Sequence, residues 1–536
     1  MDEIVNNDVI EQLDEITKLS DEFIIRNEEE MVSFLLDVLE IETDEELNLD
    51  RLRENESFSI LYELLININC FTAAIEYQYV DRVYRDSYYI HYSCKLQNYD
   101  RYCKRIFLFY GDIIDNIEFF NIPTELLQRT FIGTICIRPT KDKKIGRSLI
   151  NPYFVTDNNN AFLRYARYSV TISGKLLHIN AFPYSMQDGE TTTCAEITIL
   201  NLLDYYSQRY SEYKYLLPSE IAEIVKKNGF ERNLPSPGLP YAIITKVFSE
   251  AGFYPRLYRA ETLTDISQFK RIVHYYIESG LPVAIGMKID ERLRHSIVCI
   301  GHGKINYQNV QKKIYAILTN NDDDHIWIVD TADLINEYVV IDDSQRPYAN
   351  YEWKVIKSDK EFKQPKYKLG NFEPDTIMVP LYRRMFLEAK DAYDICTNIL
   401  ASKSLGIKQF MPEIGNMKNP LIIRLFMASA RGFRGKRIGG FSSVNISAKK
   451  CYLNVLFPRF VWICELYTMD SYKLNKAIGE IVIDATASPH DAVSSAMIIH
   501  YPNQIMYSKK PLFDKLNNWE SFDSYSNLVL PFTQNK

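Results

Sequence analysis

A chain of 536 residues is too long for one ordinary hydrophobic core, so several domains are expected. With 46% hydrophobic and 25% charged residues it has a globular balance, and 62 basic against 70 acidic side chains, a net charge of −8, speak against a general nucleic-acid binder. The nine cysteines are scattered, odd in number and never spaced C-x-x-C, which argues against a zinc site or a disulfide framework and for reduced thiols in a cytoplasmic protein.

The N-terminal stretch MDEIVNNDVIEQLDE is acidic and has no apolar core, so it does not read as a signal peptide. No run approaches the ~18 apolar residues of a membrane span, and no membrane insertion is expected. Residues 1 to 65 read as helical, with apolar stripes at Phe34, Leu35, Val38, Leu39 and at Ile60, Leu61, Leu64, Leu65. From 66 to 180 the chain turns aromatic and β-like. Phe131 to Ile137 is a strand ended by Pro139, and Tyr168–Ile172 and Leu176–Asn180 flank a Ser173-Gly174 turn as a hairpin. Arg138, Lys141, Lys143, Lys144 and Arg147 form a basic cluster, expected to be a solvated loop.

The stretch MQDGETTTCAEITILNLLDYY, Met186 to Tyr206, follows. Ile199, Leu202, Leu203 and Tyr206 recur with helical period, and Thr191, Thr192 or Thr193 can cap the helix. Cys194 then stands at a helix N-terminus, where the local positive charge favours thiolate over thiol. Helices are expected from Pro218 to Asn228-Gly229, from Tyr241 to Glu250 and from Asp265 to Glu278, with NLPSPGLP as a loop between the first two. Strand runs follow at Leu281–Met287, Arg294–Gly301, Ile326–Asp330 and Glu337–Asp342. Helices first and a sheet afterwards predict an α+β layout. Further on come a helix from Met385 to Ala401, a glycine-rich basic loop at Arg431–Gly440 and strands at Val455–Glu465 and Ile478–Ala485. That basic loop lacks the residue order of a phosphate-binding loop. The divisions expected are 1–180, helical then β-rich; 181–385, a catalytic unit; and 386–536, an α+β unit.

A cysteine nucleophile needs a base, a group that orients the base and donors for an oxyanion. His295, opening an apolar strand, is the preferred base, with His302 past the same strand as the alternative. Asp342 is the preferred orienter, with Asp330 as the alternative; each closes a strand. A cysteine at a helix start, the strand Gly280-Leu281-Pro282-Val283, a histidine on the next strand and then V-V-I-D resemble the papain-like cysteine peptidases, most closely the bacterial C39 and C39-like branch. The resemblance covers about residues 181–355. It implies a papain-like domain with helices packed on an antiparallel sheet, Cys194 as nucleophile, His295 as base, Asp342 as orienter and Gln187 as oxyanion donor. Gln187 stands one position further from the cysteine than the family glutamine, and Ala195 occupies the place of a frequent family glycine. The expected activity is hydrolysis of an amide bond in a peptide or protein through an acyl-enzyme, with no cofactor or metal. The same triad also serves deamidation and acyl transfer, and the same fold can serve as a non-catalytic scaffold. Local charge at 138–147 and 431–437 raises one further option, a nucleic-acid or nucleotide sensor regulating the enzyme.

Overall fold

The computed structural model describes residues 20–42, 49–114, 119–155, 161–229, 238–263, 266–290, 293–318, 325–356, 366–370, 373–440, 446–488, 495–502, 504–509, 512–516 and 521–531. The acidic residues 1–19, most of the NLPSPGLP loop and residues 319–324 lie outside them.

The chain is a mixed α/β protein built on three main sheets, in which neighbouring strands are antiparallel with one exception. The first sheet runs in the order Ser20–Ile25, Phe71–Tyr79, Cys103–Tyr110, Phe131–Ile137, Ser148–Ile150, Pro183–Tyr184. Its central strand FIGTICI is buried along its whole length, as expected of an apolar run covered on both faces. Helices Glu28–Leu39 and Glu56–Leu65 pack together beside it and bury the two expected apolar stripes. Ahead of them, Ser20–Ile25 is an edge strand rather than helix, because its ladder partner Phe71–Tyr79 supplies the hydrogen bonds. The tyrosine-rich stretch that reads as β-like is instead helical over Arg82–Ile90. Asp81 caps that helix by accepting from the Tyr84 N–H at 2.8 Å, and Val83, Tyr84 and Ser87 make the buried face. The hairpin forms as expected, over Ala166–Ile172 and Lys175–Ala181, with Ser173 and Gly174 at φ 47° and 75° in the turn.

The second sheet positions the site. Helix α1 (Cys194–Arg209) and helix α2 (Ile266–Glu278) both pack on its middle. Its central strands are β1 (Val283–Lys288), β2 (Arg294–His302) and β3 (Glu337–Ile341), paired in that order. Every residue of β2 from His295 to His302 is buried, so both faces of that strand are covered. Gly301 lets Phe162–Leu163 lie against β2: a Cβ there would stand 2.2 Å from the carbonyl oxygen of Phe162.

The third sheet joins Tyr315–Leu318 and His325–Asp330 to the C-terminal strands Leu421–Ser429, Phe460–Tyr467, Gly479–Asp484, Ala496–Tyr501, Gln504–Lys509 and Leu512–Leu516. His325–Asp330 pairs parallel to Leu421–Ser429. The excursion between β2 and β3 therefore belongs to the C-terminal sheet, and the position expected for a boundary, 385, is crossed by strand pairing. The boundary at 180 is crossed too, by Phe162–Leu163 on β2. One continuous core runs from Ile25 to Leu528, and a second fills the other face of the third sheet.

The first basic stretch is less solvated than expected, and the second is a helix rather than a loop. Arg138 is buried, Arg147 pairs with Asp204 at 2.5 Å, Lys144 with Glu56 at 2.6 Å, and Lys143 with Glu40. The second, Ala430–Gly440, is a helix, and its Arg437 is buried against Glu465 and Glu480. Opposite charge on neighbouring elements folded these segments inward, which composition alone does not reveal. Likewise the strand expected from Val455 begins only at Phe460, because helix Ile446–Asn454 and Pro458 precede it.

Candidate active site

Cys194 is the first residue of α1 and is partly exposed. The helix starts there because Thr193 is extended, at φ −109° and ψ 178°. The carboxylate of Glu196, one turn in, accepts from the Thr193 backbone N–H at 3.1 Å and from its hydroxyl. From Ala195 to Tyr206 every residue of α1 is buried, so the thiol is mounted on a rigid post.

The loop before the cysteine is held by Asp188. Its carboxylate accepts from the backbone N–H groups of Glu190, Thr191 and Thr192 at 2.9, 2.7 and 2.8 Å. Burial raises the Asp188 carboxyl, but Arg138 and these donors outweigh it and hold the group below its ordinary range. Gln187 lies in this loop. Its backbone N–H faces the Asp343 carboxylate, and Gln187 is not among the residues lining the cleft in front of Cys194.

His295 begins the buried run of β2. Its Nε2 is 2.8 Å from Oδ1 of Asp342, and the Cys194 side chain lies near enough to its ring to favour its charged form. With Nε2 turned to the carboxylate, Nδ1 is the nitrogen left for the sulfur. Strand register explains the meeting. Val298 of β2 pairs with Ile341 of β3, and His295 and Asp342 extend just beyond that pair at one end of the sheet. Asp342 is fixed by the Ser344 N–H at 2.9 Å, the Ser344 hydroxyl at 2.8 Å and the Tyr351 hydroxyl at 2.5 Å. The Ser344 contacts form an Asx turn that ends the strand.

The electrostatics follow from these contacts. Burial works against charge on His295, but hydrogen bonds to Asp342 and Cys194, then the two aspartate charges, raise it to about 11. Burial likewise raises Asp342, and bonding to His295 and Tyr351 brings it below its ordinary value. Asp343 lies 3.5 Å from Nε2 of His295 with neither oxygen hydrogen-bonded to a side chain. Burial raises its carboxyl, His295 pulls it down, Asp342 pushes it up, and it rests at about 7. The arrangement is that of an imidazolium clamped between a thiol and a carboxylate.

The alternatives considered from sequence have other duties. His302 spends Nε2 on Glu278 at 3.1 Å and Nδ1 on the Gly303 carbonyl at 2.7 Å. Asp330 caps the short helix Thr331–Leu334, accepting from the Ala332 N–H at 2.8 Å and from the Tyr275 hydroxyl. Neither meets Cys194.

A cleft of about 610 Å³ opens over the thiol, lined by Cys194, Tyr241, Met287, Arg294, His295 and Ser296 among others. Tyr241, Ser296 and Thr198 form a hydroxyl chain across α1 and β2, at 2.8 and 3.0 Å. Sequence reasoning missed this chain, and also missed Asp343, Ser344, Tyr351 and the influence of the Arg138 charge on Asp188. The alternation of Tyr351 with the buried Trp353 and the doubled aspartate at 342–343 were the available signals. Among the described residues, His295, Asp342 and Asp343 are the group whose ligand atoms cluster closely enough to hold a metal ion. Asp342 already has its oxygens occupied by four protein donors. No helix among the described residues is long and apolar enough to cross a membrane. No protein-family model and no curated protein matches the chain.

Proposed function

We propose that this chain is a cysteine hydrolase of the papain-like class, acting as a peptidase on an amide bond. One observation carries the reading: Cys194, at the start of a buried helix, shares one cleft with a histidine whose Nε2 is fixed by Asp342 at 2.8 Å and whose charge the Cys194 side chain favours. The layout supports it as well. The helix carrying the thiol packs on an antiparallel sheet whose adjacent strands carry the base and the orienter.

In this reading the Cys194 sulfur, as thiolate, adds to the carbonyl carbon and a sulfur–carbon bond forms. The oxyanion meets the backbone N–H of Cys194, which has no acceptor within the helix. Gln187, the side-chain donor that the family resemblance implies, lies outside the cleft's lining, so the oxyanion is assigned to the Cys194 N–H alone. The carbon–nitrogen bond then breaks and the His295 imidazolium gives its proton to the leaving amine. Water, deprotonated by His295, adds to the thioester, and the carboxylic acid leaves as the thiol is restored. Asp342 keeps the ring in place and its charge compensated throughout.

The test is the rate of alkylation by iodoacetamide, mapped by cysteine, with exposed Cys94 as the internal reference. Cys194 is expected to react about tenfold or more faster than Cys94 at neutral pH, and His295→Ala is expected to abolish that advantage. Equal rates at the two cysteines, or an advantage that survives His295→Ala, would sink the proposal. Loss of peptide-substrate turnover in Cys194→Ala then identifies the reaction as peptide hydrolysis.

A further inference from the structure

Away from the thiol, at the opposite end of α1, a second cleft of about 450 Å³ lies between the hairpin region, α1 and the C-terminal sheet. Three guanidinium groups line it: Arg164, Arg209 and Arg459. Its one carboxylate, Glu212, is already paired with Arg459. Arg164 and Arg209 pair with no carboxylate among the described residues. Arg164 spends Nε on the Tyr205 hydroxyl at 2.9 Å and Nη1 on the Asn527 carbonyl, which leaves Nη2 uncommitted. Arg209 donates to the Tyr210 hydroxyl at 3.1 Å. These partners are neutral.

The seat of Arg164 is built. Gly280, at φ 73° just past α2, makes room for it: a Cβ there would stand 3.1 Å from Cζ of Arg164. Placing a guanidinium in a cleft without a counter-charge is costly, and such a cation is stabilised when an anion joins it. The field is evident at Tyr210. Burial raises its phenol, yet Arg164 and Arg209 bring it below its ordinary value. Tyr382 and Phe460, buried and stacked on each other at 5.0 Å, close one side of the cleft.

We propose that this cleft is a binding site for a small ligand carrying a phosphate group, held by Arg164 and Arg209. The charge count selects phosphate over carboxylate: two unpaired guanidinium groups match a phosphate monoester of about −2, and their planar forks match its oxygens. This site is independent of the hydrolase reading.

The experiment is thermal unfolding and calorimetric titration of the full chain with inorganic phosphate and with adenosine monophosphate, against sodium chloride at matched ionic strength. Both phosphates are expected to raise the melting temperature above the chloride control. Arg209→Gln, which changes an exposed side chain, and Arg164→Gln are each expected to weaken binding by about tenfold or more, the worth of a charge-assisted contact. If Arg164→Gln does not fold, Arg209→Gln decides alone. No stabilisation by either phosphate at millimolar concentration, or affinity unchanged in Arg209→Gln, overturns the proposal.

Discussion

Asp343 is a buried carboxyl whose oxygens have no side-chain hydrogen bond. It is buried beside Asp342, and its carboxyl rests at about 7 in the folded protein. In the unfolded chain it titrates near ~3.9, so between those values the native state keeps a proton that the unfolded state has lost. The stability this gives is complete below the unfolded value and is lost as pH rises through about 7. Asp343→Asn carries no such loss. The variant should be more stable than the parent at pH 8, by something on the order of 2 kcal/mol, and the gap should narrow towards pH 4. Melting temperatures of the two proteins across that range check it; a gap that does not depend on pH would contradict the burial argument. At this scale the sequence was legible where one residue type implies one chemistry in a fixed chain order, as with Cys194, His295 and Asp342. It was not legible where the role arises only from a neighbour in space. Arg138 looks like one of five loop cations until Asp188, from another segment, arrives beside it.

At the scale of elements, β2 carries His295 at one end and a close strand crossing at the other. Gly301 lies against the Phe162 carbonyl so tightly that a methyl group cannot fit without moving backbone. Gly301→Ala is expected to destabilise the protein by roughly 1–3 kcal/mol, the cost of overpacking a core position. The same substitution at Gly435, which has open space around it, is expected to cost nothing and is the control. Denaturant midpoints of the two variants make the comparison. Long periodic helices such as α1, α2 and Tyr241–Glu250 were readable from sequence because one buried face sets their period. The helix Arg82–Ile90 was not, because tyrosine favours strands, and here the Asp81 cap and a ring cluster of Tyr84, Tyr88 and Tyr92 overrode that preference.

Across the whole molecule, the sheets are joined by a buried ladder of charge. Glu278 on α2 meets Arg424, Arg424 meets Glu465 at 2.9 Å, and Arg437 bridges Glu465 and Glu480. His302 of β2 adds to its near end through Glu278. Removing a cation from such a ladder strands its carboxylates in the core, so Arg437→Ala is expected to cost about 3–5 kcal/mol. Urea titration of the variant, with Arg431→Ala on an exposed turn of the same helix as reference, measures it. None of this was visible in the sequence, where Glu278 closes a helix, Arg424, Glu465 and Glu480 lie in apolar strand runs and Arg437 sits in what reads as a glycine-rich loop. Ion pairs between segments far apart in the chain leave no local pattern.

The parallel pairing of His325–Asp330 with Leu421–Ser429 bears on how the protein is made. Between β2 and β3 the growing chain lays down a strand whose neighbour has not yet been translated. The same holds for Leu163, which bridges to Val529 near the other end of the chain. The sheet that unites His295 with Asp342 thus gains its full support only after the segment around Val529 has been made. A nascent chain that has not reached these segments would carry Cys194 on its helix without the complete framework that brings His295 and Asp342 beside it.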